Sequence, residues 1–215
     1  MEFKRLLISG EAVVLAFDMC SSSDMLEELI LRGDTRPYTY VISKMKERLA
    51  ELQKSILFDP YKFTGDGWIL LFPELADGAA LFGLLQDLST YYRTISEAHL
   101  LPRLDTRPEV HGLTFGMDVG PIVKTTIFQQ KEYVGRPINV ACRLQSAVST
   151  VTKRPAYRAL VSSTAYDRYF AALDGTIKGV NKTTSLRNIR GGRDFRCKLV
   201  QTQAGKHATD GRHAL

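Results

Sequence analysis

Two aspartates occupy the positions in this 215-residue chain that most suggest chemistry. Asp18 ends the apolar run AVVLAF (12–17), which predicts a buried strand, and Asp66 stands between two glycines in a predicted tight turn. A strand end and a hairpin turn can lie side by side on one sheet, and paired carboxylates there suit Mg²⁺, which also takes phosphate oxygens and water. Either aspartate alone also fits a structural role, Asp66 as a turn residue and Asp18 as a strand-end cap.

Asn139 and Arg143 form a second candidate pair, in the run NVACR (139–143). Four residues apart on a predicted helix, their side chains would share one face. An amide and a guanidinium on one face can hold a ribose oxygen and a phosphate. The spacing is equally compatible with an exposed helix face that carries an unrelated polar pair.

The elements that must position these residues follow from periodicity and turn signals. The pattern predicts the order β α α β β α β β α β α β β, hence an α+β sandwich in which helices pack on a mixed, mostly antiparallel sheet. Helices are predicted at about 25–31, 38–55, 74–96 and from Pro137 onward, with a loop over 97–110. Hairpins are predicted around 64–67, at Gly120-Pro121, and between LRNI (186–189) and DFRCKLV (194–200).

Composition restricts the class of protein. With 44% hydrophobic and 24% charged residues, the chain is expected to form one domain over 1–202, followed by a flexible tail over 203–215. No apolar run approaches the roughly 18 residues of a membrane span, and no signal-peptide cleavage site follows the first strand, so a cytoplasmic protein is expected. Three widely spaced cysteines indicate neither a disulfide framework nor a zinc site.

Positive charge is concentrated in the last third of the chain. Residues 151–215 carry 13 basic and four acidic side chains, a net charge of +9, against +6 for the whole protein. Such a balance suits nucleic acid, a small polyanion such as a triphosphate, or merely a solvated basic surface. Because aromatic interleaving and DNA-binding motifs are absent, no nucleic-acid partner is expected.

Four segments together resemble the catalytic domain of the class III nucleotidyl cyclases, over about residues 11–200. They are VVLAFDMCSSSDMLEEL (13–29), YKFTGDGWILLF (61–72), GLTFGMDVGPIV (112–123) and YVGRPINVACRLQSAV (133–148). Each motif is modest alone, but four in the family's order on matching elements make chance agreement improbable. The resemblance implies a cyclase-like sandwich with a ferredoxin-like core.

The resemblance also implies roles for the candidate residues. Asp18, Met19 and Asp66 would hold two Mg²⁺ or Mn²⁺ ions, Asn139 would orient the ribose, and Arg143 would stabilise charge at the phosphorus. The reaction would convert a nucleoside triphosphate to a 3′,5′-cyclic nucleotide and pyrophosphate. In this family each site forms between two catalytic domains, so a homodimer with two interfacial sites is expected.

Base recognition would fall to Lys62 and Glu132, at the family's two base-reading positions. Guanylate cyclases carry Glu at the first position, so Lys62 argues against GTP. The pair matches adenine and uracil equally in its donor and acceptor order. Strand alternation predicts that Tyr61 and Phe63 lie on the face opposite Lys62.

The family's triphosphate lysine corresponds to Arg190, with Lys178 as the alternative. The loop after Asp18 has serines in place of glycine. The sequence shows no sensor, transmembrane or coiled-coil module.

These departures are similar to those of the stand-alone bacterial pyrimidine cyclases of Pycsar anti-phage systems. A UTP-preferring cyclase that makes cyclic UMP for anti-phage defence is therefore expected, with a downstream effector that the sequence does not identify. The alternatives are an adenylate cyclase that makes cyclic AMP and a catalytically inactive domain that binds nucleotide.

Overall fold

One mixed sheet carries every strand that the computed structural model describes, over residues 9–173, 175 and 177–203. The strand order is β2-β3-β1-β4-β6-β8-β7, with β5 paired to β4; only β4 and β6 run parallel. The strands are β1 Ser9–Met19, β2 Asp59–Phe63, β3 Gly67–Pro73, β4 Leu113–Ile127, β5 Gln130–Val134, β6 Arg158–Ser162, β7 Gly179–Thr184 and β8 Phe195–Gln201. The predicted α+β class with a mostly antiparallel sheet is confirmed.

Helices cover both faces of this sheet. They are α1 Ser22–Leu31, α2 Arg36–Leu52, α3 Gly78–His99, α4 Arg136–Val151 and α5 Ser163–Tyr169, with short 3₁₀ turns at Leu101–Arg103 and Ala171–Leu173. The order of helices and strands agrees with the prediction, but β5 and β7 lie at residues for which the sequence predicts no strand. Of the predicted tail, only Gln203 belongs to the described residues. None of the described helices is long and apolar enough to cross a membrane.

The two faces of the sheet are packed differently. The larger core lies under α1, α2, α3 and α5 and contains most of the buried aromatic side chains. On the other face, small residues of β1 and β4 let the backbone of α4 approach closely. A Cβ added to Gly116 would overlap the carbonyl oxygen of Ala141, so this contact of strand and helix requires glycine. α4 is thereby held rigidly across β1, β4 and β6.

The predicted hairpin at Gly120-Pro121 is wrong. β4 runs on through both residues, because Gly120 pairs with Ala12 and Pro121 with Glu11 of the neighbouring β1. The chain reverses later, at Phe128 and Gln129, both in the left-handed region with φ of 48° and 62°. Long-range pairing with β1 therefore overrides a local Gly-Pro turn signal.

The predicted last hairpin is also displaced. β8 pairs with β7, whereas LRNI lies in the connection between these two strands. This connection closes on itself, since Leu186 N–H donates to the Gly192 carbonyl at 2.7 Å and Gly192 N–H to the Ile189 carbonyl at 2.8 Å. The Leu186 side chain packs into the core beneath α4, which explains its apolar character without a strand.

Candidate active site

The sheet brings the two predicted metal-binding aspartates together. β1 and β3 are antiparallel neighbours, and Asp18 at the end of β1 lies opposite Gly67, which directly follows Asp66. A Cβ on Gly67 would overlap the Phe17 carbonyl oxygen and lie 2.9 Å from Oδ1 of Asp18. Glycine at this position is therefore what lets the hairpin turn approach the strand end.

The carboxylate pair is electrostatically unsatisfied. Asp66 accepts a hydrogen bond from the Ser22 hydroxyl, but Oδ1 of Asp18 is buried and has no hydrogen-bond partner among the described residues. Burial, together with the negative charge of Asp66, raises the pKa of Asp18 to about 8. A cation between the two carboxylates would remove both the repulsion and the unpartnered oxygen.

The donor set fits Mg²⁺ or Mn²⁺ better than zinc. It consists of two carboxylates, and no cluster of three or more His, Cys, Asp or Glu side chains occurs in the described part of the chain. Mg²⁺ uses one or two carboxylates plus phosphate and water, whereas zinc takes three or four protein ligands. The Met19 side chain is 3% exposed and buried in the core, so only its backbone carbonyl is available to this site.

A cavity of about 460 Å³ opens beside the aspartates, lined by the 20–23 loop, Thr114 and the later turns of α4. Ser21 takes a left-handed conformation with φ of 55° and precedes α1 without a side-chain cap. The first-turn N–H groups of a helix are suited to bind phosphate oxygens. The neighbouring Ser22 contacts Asp66, which ties the loop to the carboxylate pair.

Removing one carboxylate should change how stability depends on pH. In metal-free buffer, the free energy of unfolding of the wild type should fall as pH rises from about 4 to 8, because the folded protein retains the Asp18 proton that the unfolded chain releases near pH 4. In Asp66→Asn this fall should be smaller. Urea titrations at pH 5 and pH 8 measure the difference.

The matched control for this prediction is Asp194→Asn, an exposed aspartate remote from the pair in sequence. It should leave the pH dependence as in the wild type. Adding Mn²⁺ at pH 8 should raise the melting temperature of the wild type and of this control, but not of Asp66→Asn. Equal pH profiles for all three proteins would contradict the repulsion argument.

The two predicted base-reading residues also meet. Lys62 Nζ lies 3.5 Å from Glu132 Oε1, and the Tyr61 hydroxyl donates to Oε2 of the same carboxylate. These two contacts hold the pKa of Glu132 below its usual value, the tyrosine bond contributing most. The Tyr61 ring also packs edge-on against Tyr133, with centroids 5.2 Å apart.

The expectation that Tyr61 faces away from Lys62 is wrong. The β2–β3 register passes from Pro60 opposite Leu70 directly to Lys62 opposite Ile69, so Tyr61 is an extra residue in a β-bulge. The bulge interrupts the alternation and places Tyr61 beside Lys62. Phe63 does lie on the other face, 4.8 Å from the Trp68 ring. Pro60 within the strand was the available signal, because proline in sheets concentrates at edges and bulges.

The remaining predicted residues stay apart from the aspartates within one chain. Asn139 and Arg143 are exposed on α4, and neither lines the described wall of the aspartate cavity, to which α4 contributes Gln145, Ser146 and Ser149 instead. Arg190 is exposed in the β7–β8 connection, and Lys178 is exposed just before β7. Within one copy of the chain, the predicted metal-binding aspartates are therefore separate from the residues predicted to bind the ribose and the phosphates.

Comparison with known proteins identifies solved structures with a similar fold. No protein-family model matches the sequence, and no curated protein matches it. Solved structures do: the adenylyl cyclase CyaB from P. aeruginosa superposes with a TM-score of 0.70 at 17% identity, covering 89% of this chain and 94% of that one. The guanylyl cyclase Cya2 gives 0.66 at 15% identity, covering 94% and 96%.

A third similar structure is the guanylate cyclase domain of RhGC from Catenaria anguillulae in complex with GTP. Its TM-score is 0.58 at 14% identity, with coverage of 89% of this chain and 96% of that domain. All three are similar along nearly the whole of both chains. The chain thus has the fold of the class III adenylyl and guanylyl cyclase catalytic domain.

Proposed function

We propose that this protein is a nucleotide cyclase, which converts a nucleoside triphosphate to a 3′,5′-cyclic nucleotide and pyrophosphate. The observation that carries the proposal is the Asp18–Asp66 pair, in which a buried carboxylate oxygen lacks a partner beside a cavity suited to phosphates. A cyclase fold alone would also suit a protein that has lost activity. An intact and unsatisfied metal-binding pair is what an active enzyme requires.

Asp18, Asp66 and the Met19 backbone carbonyl would hold two Mg²⁺ or Mn²⁺ ions. When bound, such ions supply the charge that favours attack of the ribose 3′-hydroxyl and departure of pyrophosphate. The first-turn N–H groups of α1 would bind phosphate oxygens next to the pair.

From the other half of the site, Asn139 would orient the ribose and Arg143 would stabilise charge at the phosphorus. Arg190, or alternatively Lys178, would contact the triphosphate. These are proposals from the family resemblance.

A homodimer would unite these groups. The aspartates and the exposed Asn139–Arg143 face of α4 are apart in one chain, so a second copy must bring its α4 to the aspartate cavity. Two copies arranged head to tail would form two equivalent sites, each with aspartates from one chain and Asn139 and Arg143 from the other. Such an enzyme would be inactive as a monomer.

We infer that UTP is the preferred substrate. Lys62 can donate to uracil O4, while Oε1 of Glu132 can accept from N3–H, since Oε2 is already bound by Tyr61. Adenine also offers one acceptor, N1, and one donor, its amino group, although the ring and exocyclic positions are exchanged relative to uracil. The Tyr61 ring, placed beside Lys62 by the bulge, would limit the room for a two-ring base at this pair. Space rather than hydrogen bonding thus favours the pyrimidine.

Cyclic UMP made by such an enzyme in the cytoplasm of a bacterium would act as a second messenger, and we propose anti-phage defence as its role. The support is the resemblance of this short chain and its atypical base-reading pair to the Pycsar pyrimidine cyclases. The downstream effector is not identified.

Incubation of the purified protein with ATP, GTP, CTP and UTP together, plus Mn²⁺, tests the activity. Mass analysis should find cyclic UMP as the main product. Cyclic AMP as the main product would identify an adenylate cyclase and overturn the pyrimidine preference. Absence of any cyclic nucleotide would leave either a missing activator or an inactive domain, and metal-dependent binding of UTP would favour the missing activator.

Removing the Tyr61 ring should relax base selection. In Tyr61→Ala, the ratio of kcat/KM for UTP over ATP should fall roughly 10-fold, because the opened space admits the purine. Tyr61→Phe, which keeps the ring and loses only the bond to Glu132, should retain most of the preference. Phe63→Ala, on the opposite face of the same strand, is the control and should leave the ratio unchanged. An unchanged ratio in Tyr61→Ala would contradict the steric explanation.

A further inference from the structure

A second cavity with a basic lining lies next to the aspartate cavity. Its volume is about 430 Å³, and we call it the basic cleft after four of its lining residues: Arg93, Lys153, Arg154 and Arg158. The cleft is assembled from α3, the segment before β4, the α4–β6 turn and the end of β8. Val110 and Pro155 line both cavities, so the two are adjacent.

The positive charge of this cleft is not neutralised. Among the described residues, none of the four cations forms an ion pair with a carboxylate, and Glu109 is the one acidic side chain on the wall. Burial and the neighbouring charge of Arg154 lower the pKa of Arg158. Because one carboxylate faces four cations on this wall, the cleft keeps a net positive charge that would attract an anion.

The lining also contains polar groups without partners. Within the described chain, the Tyr157 hydroxyl, His111 Nε2 and Gln203 Nε2 are buried and make no hydrogen bond. Arg93 donates to Gln203 Oε1 at 3.3 Å, which orients the amide but leaves its nitrogen unpaired. Unmade hydrogen bonds of buried groups cost stability, so the wall of this cleft is polar and incompletely satisfied.

We propose that the basic cleft binds a condensed-phosphate anion, either free diphosphate or the triphosphate end of a nucleotide. Three guanidiniums and an ammonium around one cavity offer more donors than a single phosphate group can use, and guanidiniums bind phosphate in a bidentate manner. The adjacency to the aspartate cavity gives such an anion a short path from the catalytic centre. The binding itself does not depend on the proposed cyclase activity.

Calorimetric titration with diphosphate in metal-free buffer containing EDTA tests this site. Without a metal the paired aspartates repel anions, so the measurement reports on the cleft rather than on the catalytic centre. We expect Lys153→Gln/Arg154→Gln, which changes two exposed side chains, to weaken binding roughly 10-fold or more. Lys46→Gln/Lys54→Gln removes the same charge from exposed positions on and just beyond α2 and should bind as the wild type does.

The source of the anion is distinguished by parallel titrations with UTP and cyclic UMP under the same conditions. Diphosphate binding without UTP binding would identify a site for the released product. Comparable binding of both would identify a second nucleotide site, and cyclic UMP should bind in neither case. The proposal is overturned if the wild type does not bind diphosphate, or if both double variants weaken binding equally. If the protein shows no cyclase activity, the proposed function fails, but the result of the diphosphate titration still stands.

Discussion

Equal amounts of Asp66→Ala and Arg143→Ala chains, unfolded and refolded together, are expected to recover about a quarter of wild-type turnover. Each variant alone should lose roughly 10²-fold or more, because one lacks a metal ligand and the other a charge at the phosphorus. In a random mixture half of the dimers are heterodimers, and each of these has one intact site and one site with both defects. Turnover of UTP by the mixture, measured against refolded wild type, gives the result.

The control for this complementation is a mixture of Asp18→Ala with Asp66→Ala chains. Both defects fall on the same half of the site, so every combination lacks a ligand and no activity should return. Dimer formation is verified separately by light scattering. Recovered activity in the control, or none in the first mixture although heterodimers form, would contradict a site shared between two copies.

Gly67→Ala adds a single methyl group and is expected to lower the free energy of unfolding strongly. The new Cβ would overlap the Phe17 carbonyl oxygen at the end of the β1–β3 pair, and backbone atoms cannot move aside as a flexible side chain can. We expect the free energy of unfolding to fall by at least about 3 kcal/mol. Urea denaturation followed by far-UV circular dichroism measures this change.

Gly83→Ala provides the matched control. Gly83 is exposed in the middle of α3, and an added Cβ would meet no atom within 4 Å, so alanine there should stabilise the protein by about 0.5–1 kcal/mol. A Gly67→Ala protein within 1 kcal/mol of the wild type would show that β1 and β3 tolerate separation at this point. The proposed dependence of the aspartate pair on glycine would then be wrong.

The aspartate cavity and the basic cleft are adjacent and have opposite charge. The first needs cations to satisfy Asp18, and the second needs anions to satisfy four basic side chains. Under the proposed function and the proposed anion site, a metal–phosphate complex would meet the first requirement and the anion released from it the second. The excess of basic residues after position 150, which the sequence associates with a small polyanion, is thus partly explained by Lys153, Arg154 and Arg158.

Local sequence was sufficient where a single segment determines the outcome. The apolar run before Asp18, the glycine-flanked turn at Asp66 and the proline at the start of α4 each predict their element through burial period or turn chemistry. The element order followed from such signals, and with it the meeting of Asp18 and Asp66. These signals come from residues that are neighbours in the sequence, so they can be recognised without knowledge of the fold.

Tertiary structure decided whatever depends on pairing between distant segments. Pairing with β1 keeps β4 extended through Gly120 and Pro121, and burial under α4 rather than strand pairing explains Leu186. The bulge that turns Tyr61 toward Glu132 is a matter of register between β2 and β3, which a local pattern does not encode. The basic cleft likewise exists only because four segments far apart in sequence converge at one end of the sheet. Most of its positive charge comes from one segment, residues 153–158, to which the fold adds Arg93 of α3.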